Sequence, residues 1–287
     1  MVLHLGSRSL ECRVTGNGMI KVILVPGGPG LTVESLSILH KILPENEFTV
    51  ISYNPSGVAL NETAPFYKSL TAYAAELSDV IGILKIEKPF LFGHSFGCAI
   101  VQEFLVKYPS LALSGVIFCN TFSSGEELKN ALIKRSQTLP DKFQDGYKAA
   151  CEKNDGDEID SLLAQYWYPS FVCRTSEFPN DVLMSTRFLR ESAMYYYYLG
   201  HDILNISGAI TNWNRFDNLS KILVPTLVMS GEFDYLNKIE IEKIINEIPK
   251  ASLWYESDVS HFPMYEKTDL FKTALLDFLR FNNIKNS

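Results

Sequence analysis

The chain has 287 residues, long enough to bury a large core as one domain or as one domain carrying an insertion. Its composition is that of an ordinary globular protein, and a formal net charge of −7 with no basic run argues against nucleic acid or a membrane surface as partner. Five scattered cysteines (Cys12, Cys98, Cys119, Cys151, Cys173) without a Cys-x-x-Cys pair argue against zinc and for reduced, packed thiols in a cytoplasmic protein. The first residues lack the long apolar core of a signal peptide, and no later stretch is long enough to span a bilayer.

Val2–Leu5 and Leu10–Val14, joined across Gly6-Ser7-Arg8, predict a short antiparallel hairpin. Ile20–Val25 is β-branched and uninterrupted, as a strand buried on both faces requires. It runs into Pro26-Gly27-Gly28-Pro29-Gly30, whose breakers predict a loop. Helical spacing covers Thr32–Leu43 and ends before Pro44. Phe48–Tyr53 predicts the next buried strand, closed by Asn54-Pro55-Ser56-Gly57. Leu70, Tyr73, Ala74, Leu77, Val80, Ile81 and Leu84 recur at three- and four-residue steps and predict a helix over Ser69–Ile86. Phe90–Gly93 predicts a strand, Phe96–Tyr108 a helix, and Gly115–Cys119 a further strand. Such regular alternation predicts an α/β fold with a mostly parallel, doubly wound sheet.

The pattern then changes. From Thr121 to Asp217 no buried strand is predicted; helical stretches at Glu126–Thr138, Phe143–Cys151, Glu158–Trp167 and Asp181–Leu199 predict an insertion over the sheet. Alternation resumes with the strand Thr226–Ser230, a helix over Leu236–Ile248, the strand Ser252–Tyr255 and a closing helix Asp269–Phe281. The expected division is a core of residues 1–120 and 218–287 and a helical cap of residues 121–217.

Between the strand Phe90–Gly93 and its helix stands Gly93-His94-Ser95-Phe96-Gly97. A Gly-x-Ser-x-Gly turn in that context holds a serine hydroxyl exposed on a strained backbone, with glycines where Cβ groups would clash. A serine needs a base to accept its proton and an acid to hold that base's tautomer. In a parallel sheet such groups collect in loops at the carboxyl ends of strands. The strand Thr226–Ser230 is followed by Gly231-Glu232-Phe233-Asp234, and Ser252–Tyr255 by a loop ending in His261. His4 falls in the hairpin, His40 in a helix, His201 in the insertion, and His94 is turned away from the serine hydroxyl. His261 is therefore the base. Asp234 is preferred to Glu232 and Asp258, because it lies far enough past its strand to turn toward the histidine loop. The oxyanion donors are then the N–H of Phe96, after the nucleophile, and that of Gly28, in the loop after the third strand. The lack of Gly-Lys-Ser/Thr and the presence of prolines argue against a phosphate-binding role for that loop.

On these residues the chain resembles an α/β-hydrolase. With Gly27-Gly28-Pro29-Gly30, Ser230-Gly231-Glu232-Phe233-Asp234 and Ser260-His261 it is most similar to the proline iminopeptidase branch of serine aminopeptidases. It departs from that branch at Pro26, at Tyr53-Asn54-Pro55-Ser56-Gly57 and at Cys98. The resemblance implies a serine hydrolase acting through an acyl-enzyme without metal or organic cofactor, on a small molecule or short peptide with a free N-terminal residue. It also implies an acidic anchor for the substrate amino group. Glu191, followed by Tyr195-Tyr196-Tyr197-Tyr198, falls at that motif, with Tyr195 in the pocket wall. An esterase, lactonase or carbon–carbon bond hydrolase, and a binding protein retaining the fold, stay open as alternatives. The sequence leaves the oligomeric state open as well.

Overall fold

The computed structural model describes residues 1–5, 8–58, 65–187, 189 and 192–286. Among the described residues eight strands form one sheet: β1 (Val2–Leu5), β2 (Arg8–Thr15), β3 (Ile20–Val25), β4 (Phe48–Tyr53), β5 (Phe90–His94), β6 (Gly115–Cys119), β7 (Thr226–Gly231) and β8 (Ala251–Glu256). Their spatial order is β1-β2-β4-β3-β5-β6-β7-β8. The hairpin β1–β2 is antiparallel and joins β4 antiparallel; every other neighbour pair is parallel.

The helices are α1 (Ser37–Ile42), α2 (Leu70–Ile83), α3 (Phe96–Lys107), α4 (Gly125–Ser136), α5 (Asp141–Lys153), α6 (Gly156–Leu162), α7 (Asn180–Thr186), α8 (Ala193–Tyr198), α9 (Lys238–Glu247), α10 (Pro263–Glu266) and α11 (Thr268–Asn286). Strands β4, β5, β6 and β7 are buried along their whole length, because helices cover both faces of the sheet. That is the arrangement that lets a strand be apolar on both sides. One apolar layer gathers Ile23, Val25, Leu91 and Phe118 with α2 and α3; the other gathers Val22, Leu24, Phe92 and Met229 with α1 and α11.

Most predicted elements lie within a residue or two of the observed ones. The segment predicted as one helix from Asp181 to Leu199 is two. It ends at Thr186 and starts again at Ala193, where the Ser192 hydroxyl accepts the Tyr195 N–H at 3.4 Å as an N-cap. The helix expected to stop at Trp167 continues as a wide-turn segment, Leu163–Val172, which carries the chain past Pro169. Thr32–Leu43 begins with a tighter turn, Val33–Leu36, before α1.

The segment between β6 and β7 contains no strand among the described residues. Its two ends are held together by an isolated antiparallel bridge between Ser124 and Asn214, with Gly125 N–H donating to Trp213 O and Arg215 N–H to Ser123 O, both at 2.8 Å. The return end is also fixed to α3. Buried Glu103 accepts Trp213 Nε1–H at 2.7 Å and the Thr71 hydroxyl at 3.0 Å, and Arg215 Nε lies 2.7 Å from the same oxygen that Trp213 uses.

Candidate active site

The first component is the turn between β5 and α3. Ser95 has φ 52° and ψ −120°, a conformation L-residues rarely adopt. The turn is forced by close packing. A Cβ on Gly97 would overlap the carbonyl oxygens of Val25 and Pro26, so α3 reaches the end of β3 only because that Cβ is missing. Ser95 N–H donates to Cys119 O at 2.9 Å, which ties the turn to β6. Phe96, the first residue of α3, is buried and meets the ring of Tyr198 edge-on at 5.1 Å.

The loop after β3 lies against this turn. The position a Cβ would occupy on Gly27 is 3.0 Å from Cβ of Ser95 and 3.0 Å from Nδ1 of His94. Gly28 follows with φ 112°. The two glycine-bearing segments that the sequence singled out are thus brought side by side.

The acid and the histidine come from neighbouring strands. β7 pairs with β8 in parallel up to Gly231 and Glu256, so the loops that follow leave the sheet at the same level. His261 Nδ1–H donates to Asp234 Oδ1 at 2.6 Å, and both side chains are buried. The second carboxylate oxygen of Asp234 accepts the Ser230 hydroxyl at 3.0 Å. With Nδ1 donating, Nε2 of a neutral His261 carries the lone pair, the tautomer that a base for a serine hydroxyl requires. The two rejected acids lie elsewhere. Asp258 is exposed and paired with Arg174 at 2.9 Å, and Glu232 accepts the Asp258 N–H at 3.1 Å.

His94 links the serine turn to the histidine loop. It is fully buried, and its Nε2–H donates to the carbonyl oxygen of His261 at 2.8 Å. Burial, reinforced by the neighbouring His261, pushes its pKa down to about 3, so the ring is neutral. Its sequence position next to Ser95 suggested only that it points away; its grip on the His261 peptide was not legible there.

Sequence reasoning also missed the aromatic column behind His261. Tyr235, the residue after Asp234, stacks on the imidazole with ring centroids 3.9 Å apart and planes 18° from parallel. Trp167, from the wide-turn segment, stacks on Tyr235 at 5.8 Å. Burial raises the Tyr235 phenol well above its usual range, with contributions from Asp234, Tyr168 and Tyr195. Tyr195 is half-buried in α8. Tyr197 and Tyr198 instead fasten α8 to the core, donating to Lys68 O at 3.1 Å and Tyr67 O at 2.8 Å. Tyr196 is exposed. Glu191 lies outside the described residues. Asp202, a buried carboxylate in the same segment, accepts the Tyr147 hydroxyl; burial, and after it Asp202, pushes the Tyr168 phenol up.

Comparison with known proteins agrees with the fold that carries these residues. A family described as "alpha/beta hydrolase fold" matches residues 21–268. The chain is 29% identical over 269 residues to a proline iminopeptidase of Thermoplasma volcanium, covering 93% of this chain and 90% of that protein. Among solved structures it superposes on a proline iminopeptidase of Mycobacterium smegmatis with TM-score 0.89 at 21% identity, covering 100% of this chain and 99% of the other. It superposes equally well, at 22% identity, on VinJ, with 98% and 97% covered. No helix among the described residues is long and apolar enough to cross a membrane.

Proposed function

Since the chain belongs to the α/β-hydrolase fold family, a family of hydrolytic enzymes, we propose that it is a serine hydrolase of aminopeptidase type, removing an N-terminal residue such as proline from a short peptide or amide. One observation carries the reading: the 2.6 Å bond from His261 Nδ1 to Asp234 Oδ1, next to a serine held at φ 52° on a strand-to-helix turn.

In this reading Ser95 Oγ attacks the substrate carbonyl carbon while His261 Nε2 takes the hydroxyl proton. The negative oxygen that forms is held by the N–H groups of Phe96 and Gly28 and by the positive end of α3. The imidazolium, held in place by Asp234, then gives its proton to the leaving nitrogen as the C–N bond breaks. Water attacks the acyl-Ser95 ester with His261 again as base, and the freed acid leaves Ser95 as it was. Each step uses one oxyanion site and one proton carrier, so no metal or organic cofactor enters the scheme.

Sequence likeness to the Thermoplasma volcanium proline iminopeptidase supports the choice of a free N-terminal substrate. Glu191 is assigned to hold the substrate ammonium and Tyr195 to line the pocket. Turnover of aminoacyl p-nitroanilides and p-nitrophenyl esters by the wild type and by Ser95→Ala tests the whole scheme. Hydrolysis of the proline anilide, lost in Ser95→Ala, is the expected result. Turnover of plain or N-blocked esters alone refutes the aminopeptidase assignment, and full activity in Ser95→Ala refutes the nucleophile. Glu191→Gln is expected to weaken free-amino substrates while sparing N-acylated ones.

A further inference from the structure

The backbone around His261 is gripped by side chains from three other elements. Asn120, at the end of β6 with φ 55°, donates Nδ2–H to Ser260 O at 3.1 Å. His94 holds His261 O, as above. Glu266, at the end of α10, reaches back across the histidine. Its Oε2 accepts the Ser260 N–H at 2.8 Å, its Oε1 accepts the Phe262 N–H at 3.1 Å, and the Ser260 hydroxyl lies 2.9 and 3.0 Å from the two oxygens.

We infer that Glu266 is a positioning residue for His261, holding the peptide groups before and after the histidine so that its imidazole meets Ser95 in one orientation. This rests on the assignment of His261 as the base. Capping of α10 alone does not account for the geometry. That helix has four residues, and the Ser260 N–H and hydroxyl lie outside it, on the far side of His261. A carboxylate that only capped the helix would need the Phe262 N–H and no more. A carboxylate bridging Ser260 and Phe262 instead fixes the direction in which the residue between them projects. The Ser260 and Phe262 donors to it include two backbone N–H groups, which no rotamer change can re-aim. Charge-assisted bonds of this kind are about twice as strong as neutral ones, so an amide in place of the carboxylate is a poor substitute. Gln offers one acceptor oxygen, and its NH2 would face donors.

The test uses Glu266→Gln in the full chain with a fluorophosphonate label, which reports activation of Ser95 whatever the natural substrate. Labelling is expected to slow roughly 10- to 100-fold, the effect of misplacing a catalytic group by about 1 Å. For any substrate the wild type turns over, kcat is expected to fall with KM within about twofold. Hydrogen exchange is expected to show lost protection at the Ser260 and Phe262 amides. Labelling within twofold of the wild type, with the variant folded, overturns the inference, because a purely structural carboxylate changes stability and not this rate. If Glu266→Gln does not fold, Ser260→Ala carries the test. It removes one donor and keeps both N–H bonds, and labelling about fivefold slower supports the clamp; an unchanged rate overturns it. Wild-type protein that takes no label overturns the nucleophile assignment and the positioning role with it. Wild-type protein that labels but hydrolyses only esters refutes the aminopeptidase reading and leaves the clamp standing.

Discussion

Gly231→Ala isolates the contact between the acid loop and the histidine loop. Gly231 is the last residue of β7, and a Cβ built on it falls on the carbonyl of Val259, roughly 1 Å inside the ~3.4 Å of an ordinary van der Waals contact. That carbonyl is not free to turn, because it accepts the Phe233 N–H at 2.8 Å. The relief left is for the segment from Val259 to His261 to move away from β7 by roughly the 1 Å of overlap. Such a shift would stretch the 2.6 Å bond between His261 and Asp234 to the limit of hydrogen bonding or beyond. Overpacking of this kind costs about 1–3 kcal/mol of stability, and displacing the base by that distance costs about 100-fold in rate. Urea unfolding and fluorophosphonate labelling of the same preparation measure the two effects. A folded Gly231→Ala protein that labels at the wild-type rate would falsify the argument, because it would show that the two loops need not stay in register.

Asp234→Asn keeps the shape of the site but removes the charge that fixes the His261 tautomer; labelling and turnover are expected to fall by about 10³–10⁴, and a loss under tenfold refutes the role. Glu103→Ala leaves the Trp213 N–H, the Thr71 hydroxyl and the Arg215 charge without their acceptor. It is expected to cost about 3–5 kcal/mol in denaturant unfolding, whereas Glu103→Gln, which keeps an acceptor, costs less; a loss under about 1 kcal/mol in Glu103→Ala would show that the network is unimportant. His40 is buried between the Thr15 and Ser52 hydroxyls at 2.7 and 2.9 Å, and burial, aided by Arg13, lowers its pKa to about 4. Above the unfolded pKa of about 6.5 its contribution to stability is fully present; as pH falls toward 4 the unfolded chain takes up a proton that the folded one refuses, and on the order of 3 kcal/mol is lost. His94 acts with the same sign down to about pH 3. The pH dependence of urea midpoints for wild type and His40→Gln measures this, and identical slopes between pH 6.5 and 4 would contradict it.

How much of this was legible in the sequence depends on the range of the interactions. Strands such as Ile20–Val25, Phe48–Tyr53 and Gly115–Cys119 announced themselves, because burial on both faces demands a predominantly apolar run, broken here only by Lys21, Thr49 and Ser52. The juxtaposition of Asp234 with His261 followed from the rule that strand ends share one edge of a parallel sheet. The split between α7 and α8 did not, because helical spacing runs on while a local Ser192 cap competes with it. Tyr235 and Trp167 were equally hidden. Their stack on His261 joins residues from β7's loop, the insertion and β8's loop, and no periodic pattern encodes that meeting. Glu266 left a faint trace, a carboxylate five residues past the histidine, but only the three dimensions show it facing backward.

The pinch at Ser124 and Asn214 has a consequence for how such a protein changes over time. Neighbouring strands β6 and β7 already bring the two ends of the intervening segment together, and the bridge closes them further. Whatever lies between is a loop whose closure the sheet has settled, and doubling its length costs only about 0.6 kcal/mol. A different helical segment grafted at that neck would leave Ser95, Asp234 and His261 in place as long as it supplied the rings of Trp167 behind Tyr235 and of Tyr198 against Phe96. Reaction chemistry and substrate range are in that sense separately heritable. Exchange of residues 125–213 between relatives that keep Trp167, Tyr198 and Trp213 should transfer preference among substrates and leave fluorophosphonate reactivity within about twofold.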